Sequence, residues 1–170
     1  MAAIAATGIS VGLAGLAGGP AHAAARPAGR QYSTPGGLTG VAATSAANAW
    51  AVGYAGRLFG SKVLLLHWNG AKWSRITGPA VLTGAGALTG ITVVSAKDAW
   101  AVGYYRNAGH DQTLVLHWNG TAWQRVSSPD VSDTGNDLYA VAATSAGAWL
   151  VGATGGSRAL ALRCTAQGCK

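Results

Sequence analysis

The sequence predicts an all-β protein made of about three tandem repeats of roughly 50 residues, each folding into four short antiparallel strands. Three observations support this. The chain matches itself when shifted by 50 positions. Short runs rich in Val, Leu, Ile, Trp, Tyr and Thr alternate with Gly, Asn, Ser and Pro. After residue 37, no segment has the i, i+3, i+4, i+7 spacing of apolar residues that marks an amphipathic helix.

Composition indicates a packed protein and narrows the function classes. Apolar residues make up 49% of the chain and charged residues only 10%, which excludes a disordered, highly charged polypeptide. The net charge is +7, yet the basic residues are spread along the sequence, so no nucleic-acid partner is predicted. An exported protein of this charge is expected to have a non-specific affinity for anionic cell-wall polymers or membrane surfaces. All acidic residues are Asp, which weighs against chemistry that needs paired carboxylates.

The N-terminal residues 1–23 are interpreted as a secretory signal segment. They are mostly Ala, Gly and aliphatic residues, and they end in Ala21-His22-Ala23, which places small residues where a signal peptidase cleaves. A buried core helix is the alternative interpretation of this stretch. The run is short and interrupted by Gly, so no integral membrane span is predicted. Residues 24–37, rich in Pro, Gly, Ala and Arg, are interpreted as a linker, and the localisation is predicted to be extracellular.

The repeat domain is predicted to cover residues 38–170, with copies at 38–87, 88–137 and 138–170. The first two copies share 21 identical positions in 50 without a gap. The third copy loses one residue before Trp149. Within the first copy, the predicted strands are Gly40–Ser45, Ala49–Tyr54, Lys62–Trp68 and Lys72–Ile76.

Two local patterns give the repeat more detail. Asn69-Gly70 lies between the third and fourth strands and predicts a type I′ hairpin turn. The third strand is apolar on both faces, as in a sheet covered on both sides. A propeller blade between two neighbouring blades meets that condition.

The first two copies follow the pattern Leu-Thr-Gly, then Ala-Trp-Ala-Val-Gly-Tyr, then Leu-x-Leu-His-Trp-Asn-Gly-x-x-Trp-x-Arg. This pattern resembles the repeats of secreted bacterial β-propeller proteins, which are similar to the kelch and galactose-oxidase-like group. The resemblance implies propeller blades, and three blades form an incomplete ring because closed propellers have about four to eight. Uncovered apolar faces at both ends would favour self-association, pairing with a homologous chain, or membership of a longer gene product.

The two cysteines are predicted to form a disulfide. Alignment of the third copy places Cys164 and Cys169 where the second copy has Trp118 and Trp123, on either side of the last hairpin turn. Residues that face each other across a hairpin are close enough for a disulfide. Metal binding or two free thiols are the alternatives, but no His lies nearby to complete a zinc site.

The seven tryptophans all belong to the repeat and fall into two groups. Trp50, Trp100 and Trp149 open the second strand of each copy and are predicted to pack between blades. The candidate ligand-binding residues flank the hairpin turns: Trp68, Trp73, Trp118 and Trp123. Their rings would stack on sugars in one interpretation, and would stiffen the hairpins by cross-strand pairing in the other.

Polar residues that recur with the repeat are interpreted structurally. His67 and His117 are predicted to be hydrogen-bonded core residues, and Asn48 and Asp98 to cap turns. The segment Asp130–Asp137 has oxygen ligands at spacings that suit calcium, although a solvated loop between blades explains it as well. No metal and no cofactor are predicted.

The function predicted from these observations is a secreted, non-catalytic binding or scaffold module of β-propeller type. Its partner would be a cell-surface glycan or cell-wall polymer. Three alternatives stay open: a partial propeller that completes a ring with other chains, a carbohydrate-binding lectin, and a sialidase- or galactose-oxidase-like enzyme. No catalytic residue is predicted, because no Ser-His-Asp or Cys-His arrangement has a credible sequence context.

Overall fold

A computed structural model describes residues 31–57, 60–80, 84–155 and 157–170. The signal segment predicted at 1–23 lies outside these residues, as does the first half of the predicted linker, residues 24–30. Every regular element within the described ranges is a β-strand, which confirms the all-β prediction. The same ranges contain no helix with the length and hydropathy needed to cross a bilayer.

In the described part of the chain, twelve strands form three four-stranded antiparallel sheets, each built by consecutive strands. The first sheet contains β1 (Gly36–Ser45), β2 (Asn48–Ala55), β3 (Lys62–Trp68) and β4 (Trp73–Arg75). The second sheet contains β5 (Gly86–Ser95), β6 (Asp98–Asn107), β7 (His110–Trp118) and β8 (Trp123–Arg125). The third sheet contains β9 (Asn136–Thr144), β10 (Gly147–Thr154), β11 (Arg158–Thr165) and β12 (Gly168–Cys169).

The first strand is longer than predicted and the fourth is shorter. β1 begins at Gly36 rather than Gly40, because its backbone pairs with β2 as far as Ala55. β4 begins at Trp73 rather than Lys72, because Lys72 belongs to the preceding turn. These differences lie at strand ends, and the order of the elements agrees with the prediction.

The turn at Asn69 is not the predicted type I′ turn. Trp68 pairs with Trp73, so the loop between them holds four residues, and within it only Gly70 has a positive φ, of 92°. The side-chain oxygen of Asn69 accepts hydrogen bonds from the backbone N–H groups of Ala71 and Lys72, both at 3.0 Å. Asn69 therefore shapes the turn through its side chain and needs no left-handed backbone.

The sheets stack face to face in chain order and enclose two layers of core. The first seam, between the first and second sheets, is centred on Trp50, Val52, Leu65, Leu114, Leu116 and Trp123. The second seam, between the second and third sheets, is centred on Trp100, Val102, Val115, Leu150, Leu162 and Cys164. The middle sheet is thus covered on both faces, as its two-sided apolar strand β7 requires. None of the sheets closes into a barrel.

The prediction that tryptophans pack between the sheets holds for two of the three. Trp50 and Trp100 are buried in the first and second seams. The prediction is wrong for Trp149, which is 47% exposed. Trp149 lies at the repeat position of Trp100, but on the third sheet that position faces outward. The guanidinium of Arg163 lies over its ring, 5.6 Å from the centroid.

The predicted disulfide is present. Cys164 and Cys169 are paired residues of β11 and β12, and a disulfide joins them with a Cα–Cα distance of 4.0 Å. Cys164 is fully buried in the second seam. The cross-link therefore ties the shortest strand of the third sheet to the core.

Candidate functional site

A histidine and an Asn or Asp form a hydrogen-bonded pair near the end of each of the first two sheets. His67 Nε2 lies 2.8 Å from Asn48 Oδ1, and His117 Nε2 lies 3.0 Å from Asp98 Oδ1. The strand register brings them together, because His117 pairs with Trp100, two residues after Asp98. The predicted hydrogen bonds of the histidines are present, but both side chains are half-buried and do not belong to the core.

The prediction that Asn48 and Asp98 cap their turns is wrong. Serine side chains cap these turns instead: Ser45 Oγ accepts from the Ala47 N–H at 3.2 Å, and Ser95 Oγ accepts from the Lys97 N–H at 3.1 Å. Because the serine side chains pair with the backbone N–H groups of these turns, the side chains of Asn48 and Asp98 are available to bind the histidines.

Each histidine also packs on the tryptophan of the neighbouring strand. The ring centroids lie 4.4 Å apart for Trp50 and His67, and 4.3 Å apart for Trp100 and His117. Burial lowers the pKa of His67, because removing the ring from water disfavours its charged form. A tryptophan, a histidine and an Asn or Asp thus form one unit, which we call the Trp–His–Asx unit.

In the first seam, the next sheet covers this unit with two indole rings. The centroids of Trp118 and Trp123 lie 5.0 Å and 5.1 Å from that of Trp50. Trp123 is only 3% exposed, so its ring offers no face to solvent. The unit of the first sheet is closed by aromatic packing.

In the second seam, the disulfide stands where those two indoles would be. Cys164 and Cys169 of the third sheet hold the repeat positions of Trp118 and Trp123, and together they fill far less space. A cleft of about 470 Å³ lies at this end of the seam, within the range of about 300–1,000 Å³ typical of ligand sites. The second sheet lines it with Lys97, Asp98, Trp100, His117 and Asn119, and the third sheet with Thr144, Ser145, Ala146, Gly147, Thr165, Ala166 and Gln167. We call this space the seam cleft.

The seam cleft is rich in groups that donate and accept hydrogen bonds. Asp98 accepts, Lys97 donates, and the amide of Gln167 does both. Asn119 adds the donors of its NH2 group, because its side-chain oxygen already accepts from two backbone N–H groups of its own turn. The hydroxyls of the third sheet add further donors and acceptors. Alcohols are bound by such mixed sets, because each hydroxyl of the ligand needs both a donor and an acceptor.

The four tryptophans predicted to bind ligand form two cross-strand pairs. Ring centroids lie 5.7 Å apart for Trp68 and Trp73, and 5.9 Å apart for Trp118 and Trp123. The indole N–H of Trp68 donates to the Ala46 carbonyl at 2.9 Å, and that of Trp118 donates to the Ala96 carbonyl at 3.2 Å. The pairs therefore link the hairpin to the neighbouring turn. Their ligand-binding role stays a prediction.

The residues of the seam cleft lie far apart in the sequence, and no motif joins them. Two signals in the chain could have found the site. Asn48 and Asp98 recur in step with His67 and His117, and the replacement of a tryptophan pair occurs in one repeat only. Gln167 carried no signal of its own, because its place in the cleft depends on how the second and third sheets stack.

The aspartate-rich loop before β9 is held by structural contacts. Asp130 Oδ1 accepts hydrogen bonds from the backbone N–H of Thr113 at 2.9 Å and from its hydroxyl at 3.3 Å. Asn136 Oδ1 accepts from the Val131 N–H at 3.1 Å. Within the described ranges, no three His, Cys, Asp or Glu side chains gather in a way that could hold a metal.

Acidic and phenolic side chains approach each other at the start of β9. Burial raises the pKa of Asp137, and the nearby carboxylate of Asp111 raises it further. Burial likewise raises the pKa of Tyr104, with Asp111 again a second cause. The Arg106 guanidinium lies 4.0 Å from the Asp111 carboxylate.

Comparison with known proteins identifies no family: no protein-family model matches the chain, and no curated protein matches it either.

Proposed function

We propose that this chain is an extracellular, non-catalytic binding module of β-propeller type, and that its ligand is a glycan of a cell surface or cell wall. The ligand enters the seam cleft and is held by hydrogen bonds to its hydroxyl groups. A net charge of +7 favours anionic polymers over neutral ones.

One observation carries the proposal: equivalent ends of the two seams are packed differently. The first is filled by Trp118 and Trp123, and the second holds a disulfide with a polar cleft beside it. A repeat that merely stacked would have kept the same packing in both seams. The third repeat instead combines a stabilising cross-link with open space at the Trp–His–Asx unit.

Two further features favour a module that acts outside the cell. Disulfides persist in oxidising compartments and are rare in the cytosol, and this chain carries one in its last hairpin. The sequence of residues 1–23 has the composition and the small-residue ending of a secretory signal.

The Trp–His–Asx unit supports binding rather than catalysis. His117 and Asp98 lie together as an acid and a base would, but the first sheet repeats the arrangement with His67 and Asn48, which has no acid. Because Asn48 has an amide where Asp98 has a carboxylate, the arrangement shared by the two sheets indicates a structural role. Glu is absent from the chain, so it supplies no alternative acid.

A glycan array that includes bacterial cell-wall fragments tests the proposal. Gln167→Trp places an indole on an exposed turn beside the seam cleft, and we expect it to weaken binding at least about tenfold by blocking entry. The matched control is Thr121→Trp, on the exposed turn of the corresponding hairpin of the second sheet, which should bind as the unaltered chain does. Absence of binding to every glycan on the array contradicts the proposal.

The half-exposed Trp68–Trp73 pair of the first sheet is a second candidate site for a sugar ring. Aromatic rings at the end of a hairpin suit stacking on the apolar face of a sugar. Loss of binding in Trp68→Ala, with Gln167→Trp unaffected, would assign the lectin function to this pair and exclude the seam cleft. Trp118→Ala would report on the corresponding hairpin of the second sheet.

A further inference from the structure

The first sheet has a cleft at the start of β3, which we call the edge cleft. It measures about 420 Å³ and is lined by Lys62 and Val63 of β3, by Arg75 of β4 and by residues 76–80. This volume suits a small ligand. The edge cleft lies at the end of the sheet opposite to the Trp–His–Asx unit, because β3 begins at Lys62 and His67 lies near its other end.

The edge cleft can be compared residue by residue with the second sheet, because the two backbones correspond. The N–H of Ile76 donates to the Leu65 carbonyl at 2.9 Å, and 50 positions later the N–H of Val126 donates to the Val115 carbonyl at the same distance. The strand registers on both sides of β3 and β7 also agree. Each residue of the edge cleft therefore has a counterpart 50 positions later in the chain.

The second sheet fills this place with its own carboxylate and hydroxyl. Asp130 Oδ1 accepts hydrogen bonds from the backbone N–H of Thr113 at 2.9 Å and from its hydroxyl at 3.3 Å. The hydroxyl of Ser128 lies 2.7 Å from that of Thr113. Thr113 is 0% exposed, so these side chains close the space around it.

The first sheet has lost these side chains. Ala80 stands at the position of Asp130, and Gly78 at that of Ser128. The backbone N–H of Val63 keeps the direction of its counterpart, because the strand register is the same. A backbone donor that binds a carboxylate in the second sheet therefore points to the edge cleft in the first.

The arginine of the edge cleft lacks the contacts that its counterpart makes. The guanidinium of Arg125 donates to the Tyr105 hydroxyl at 2.5 Å and lies over the Tyr105 ring, 4.1 Å from the centroid. Ala55 stands at that position in the first sheet, so Arg75 has no ring there to pack on. Within the described ranges, no carboxylate forms an ion pair with Arg75. Its guanidinium can therefore bind an anionic ligand.

Lys62 adds a second cation to the edge cleft, where the counterpart Gln112 is neutral. Its ammonium donates to the Gly84 carbonyl at 3.2 Å, which holds it beside the cleft. The residues that line the edge cleft thus include two cations and no anion, whereas the second sheet places the cation Arg125 and the anion Asp130 at the counterpart positions. The charge of the edge cleft favours an anion.

We propose that the edge cleft is a binding site for a uronate, a sugar that carries a carboxylate. The carboxylate takes the place that Asp130 has in the second sheet: it accepts from the Val63 N–H, and Arg75 and Lys62 balance its charge. A uronate also carries hydroxyls close to the carboxylate, as the second sheet does with Ser128. This site goes beyond the proposed function, and it does not depend on the seam cleft.

Amide NMR spectra of the full chain, titrated with glucuronate, test the proposal. We expect a saturable shift of the Val63 amide signal, and no such shift with glucose, which lacks the carboxylate. Ala80→Asp gives the first sheet the carboxylate of the second, and we expect it to weaken glucuronate binding at least about tenfold. Ala71→Asp, on the exposed turn at the other end of β3, is the matched control with the same change in charge. Both alanines are exposed, so both variants should fold.

Four results would overturn the proposal. Glucuronate that causes no saturable shift would show that the cleft binds no uronate. An equal loss in Ala71→Asp would assign the binding to net charge. Equal binding of glucose, or of a phosphorylated glucose, would show that the carboxylate is not what is recognised. Loss of glucuronate binding in Gln167→Trp would place the sugar in the seam cleft, whereas we expect that variant to bind glucuronate as the unaltered chain does.

Discussion

The hydroxyl of Thr89 in the second sheet donates a hydrogen bond to the carbonyl oxygen of Leu138 in the third, over 2.5 Å. Thr39 makes the same bond to Leu88, one repeat earlier. Both threonines also lie within 3.2 Å of a carbonyl oxygen in their own sheet. A two-residue contact therefore sets the alignment of each seam, in addition to the apolar packing that holds it closed.

Removing this hydroxyl should destabilise the second seam. We expect Thr89→Val to lower the free energy of unfolding by about 1 kcal/mol, because the Leu138 carbonyl loses a partner while the volume is conserved. Urea denaturation monitored by tryptophan fluorescence measures the change. Thr121→Val, on an exposed turn, is the control and should have little effect. Equal effects at both positions would show that the bond between the sheets contributes nothing.

The tryptophans at equivalent positions should differ sharply in their contribution to stability. Trp100→Ala removes a buried ring from the second seam, and we expect a loss of about 3–5 kcal/mol. Trp149→Ala removes a ring that is 47% exposed on the outer face, and we expect less than about 1.5 kcal/mol. The two variants should be compared in the same denaturant series. Similar losses would mean that the face of Trp149 is covered in solution.

Introducing a tryptophan pair into the third repeat, at the positions of the two cysteines, should close the seam cleft. In the double variant Cys164→Trp and Cys169→Trp, the two indoles would pack on Trp100 as Trp118 and Trp123 pack on Trp50. We expect the variant to fold and to lose glycan binding, as measured on the same array.

The control for this change is the double variant Cys164→Ala and Cys169→Ala, which removes the cross-link without filling the space. The disulfide closes a short loop, so its loss should cost about 2 kcal/mol and leave binding intact. If the tryptophan variant retained binding, or if the alanine variant lost it, the seam cleft would not be the site that recognises the ligand.

His67 should make the protein less stable in mild acid. Its pKa in the folded state is lowered by burial, so between that value and its usual value the unfolded chain binds more protons. The contribution to stability is complete above about pH 6.5 and declines as the pH falls through the window below it. His67→Gln should flatten this part of the profile, measured by urea denaturation between pH 7.5 and 5. If the free energy of unfolding of the variant depended on pH as steeply as that of the unaltered chain, His67 would not be the group responsible.

The ionisation of Asp137 should change the free energy of unfolding in the opposite direction with pH. Its pKa is raised in the folded state, so the folded chain holds the proton more tightly and stability decreases as the pH rises above the usual Asp value. Asp137→Asn should therefore raise the melting temperature at pH 7 and have little effect near pH 3. Asp133→Asn, on the exposed preceding loop, is the control. A gain that is the same at both pH values would exclude ionisation as its cause.

The repeat, the all-β class, the order of strands and the disulfide could all be predicted from the amino-acid sequence. These depend on patterns that are local or that recur at a constant interval: apolar runs bounded by turn residues, and two cysteines at the positions of a cross-strand tryptophan pair. The pairing of His117 with Asp98 was also implicit in the repeat, but it requires the strand register of β6 and β7 to be known. The turn at Asn69 was misjudged because Asn-Gly is compatible with more than one loop length.

Whether equivalent residues of the three repeats share the same environment depends on how the sheets stack, which the sequence pattern does not show. Trp50, Trp100 and Trp149 are identical in type and repeat position, yet the third is exposed, since burial depends on whether another sheet lies against that face. Leu38 and Leu88 differ for the same reason. The seam cleft likewise exists because two sheets meet where one of them has small residues. Contacts between sheets join residues about 50 positions apart, and no local pattern encodes them.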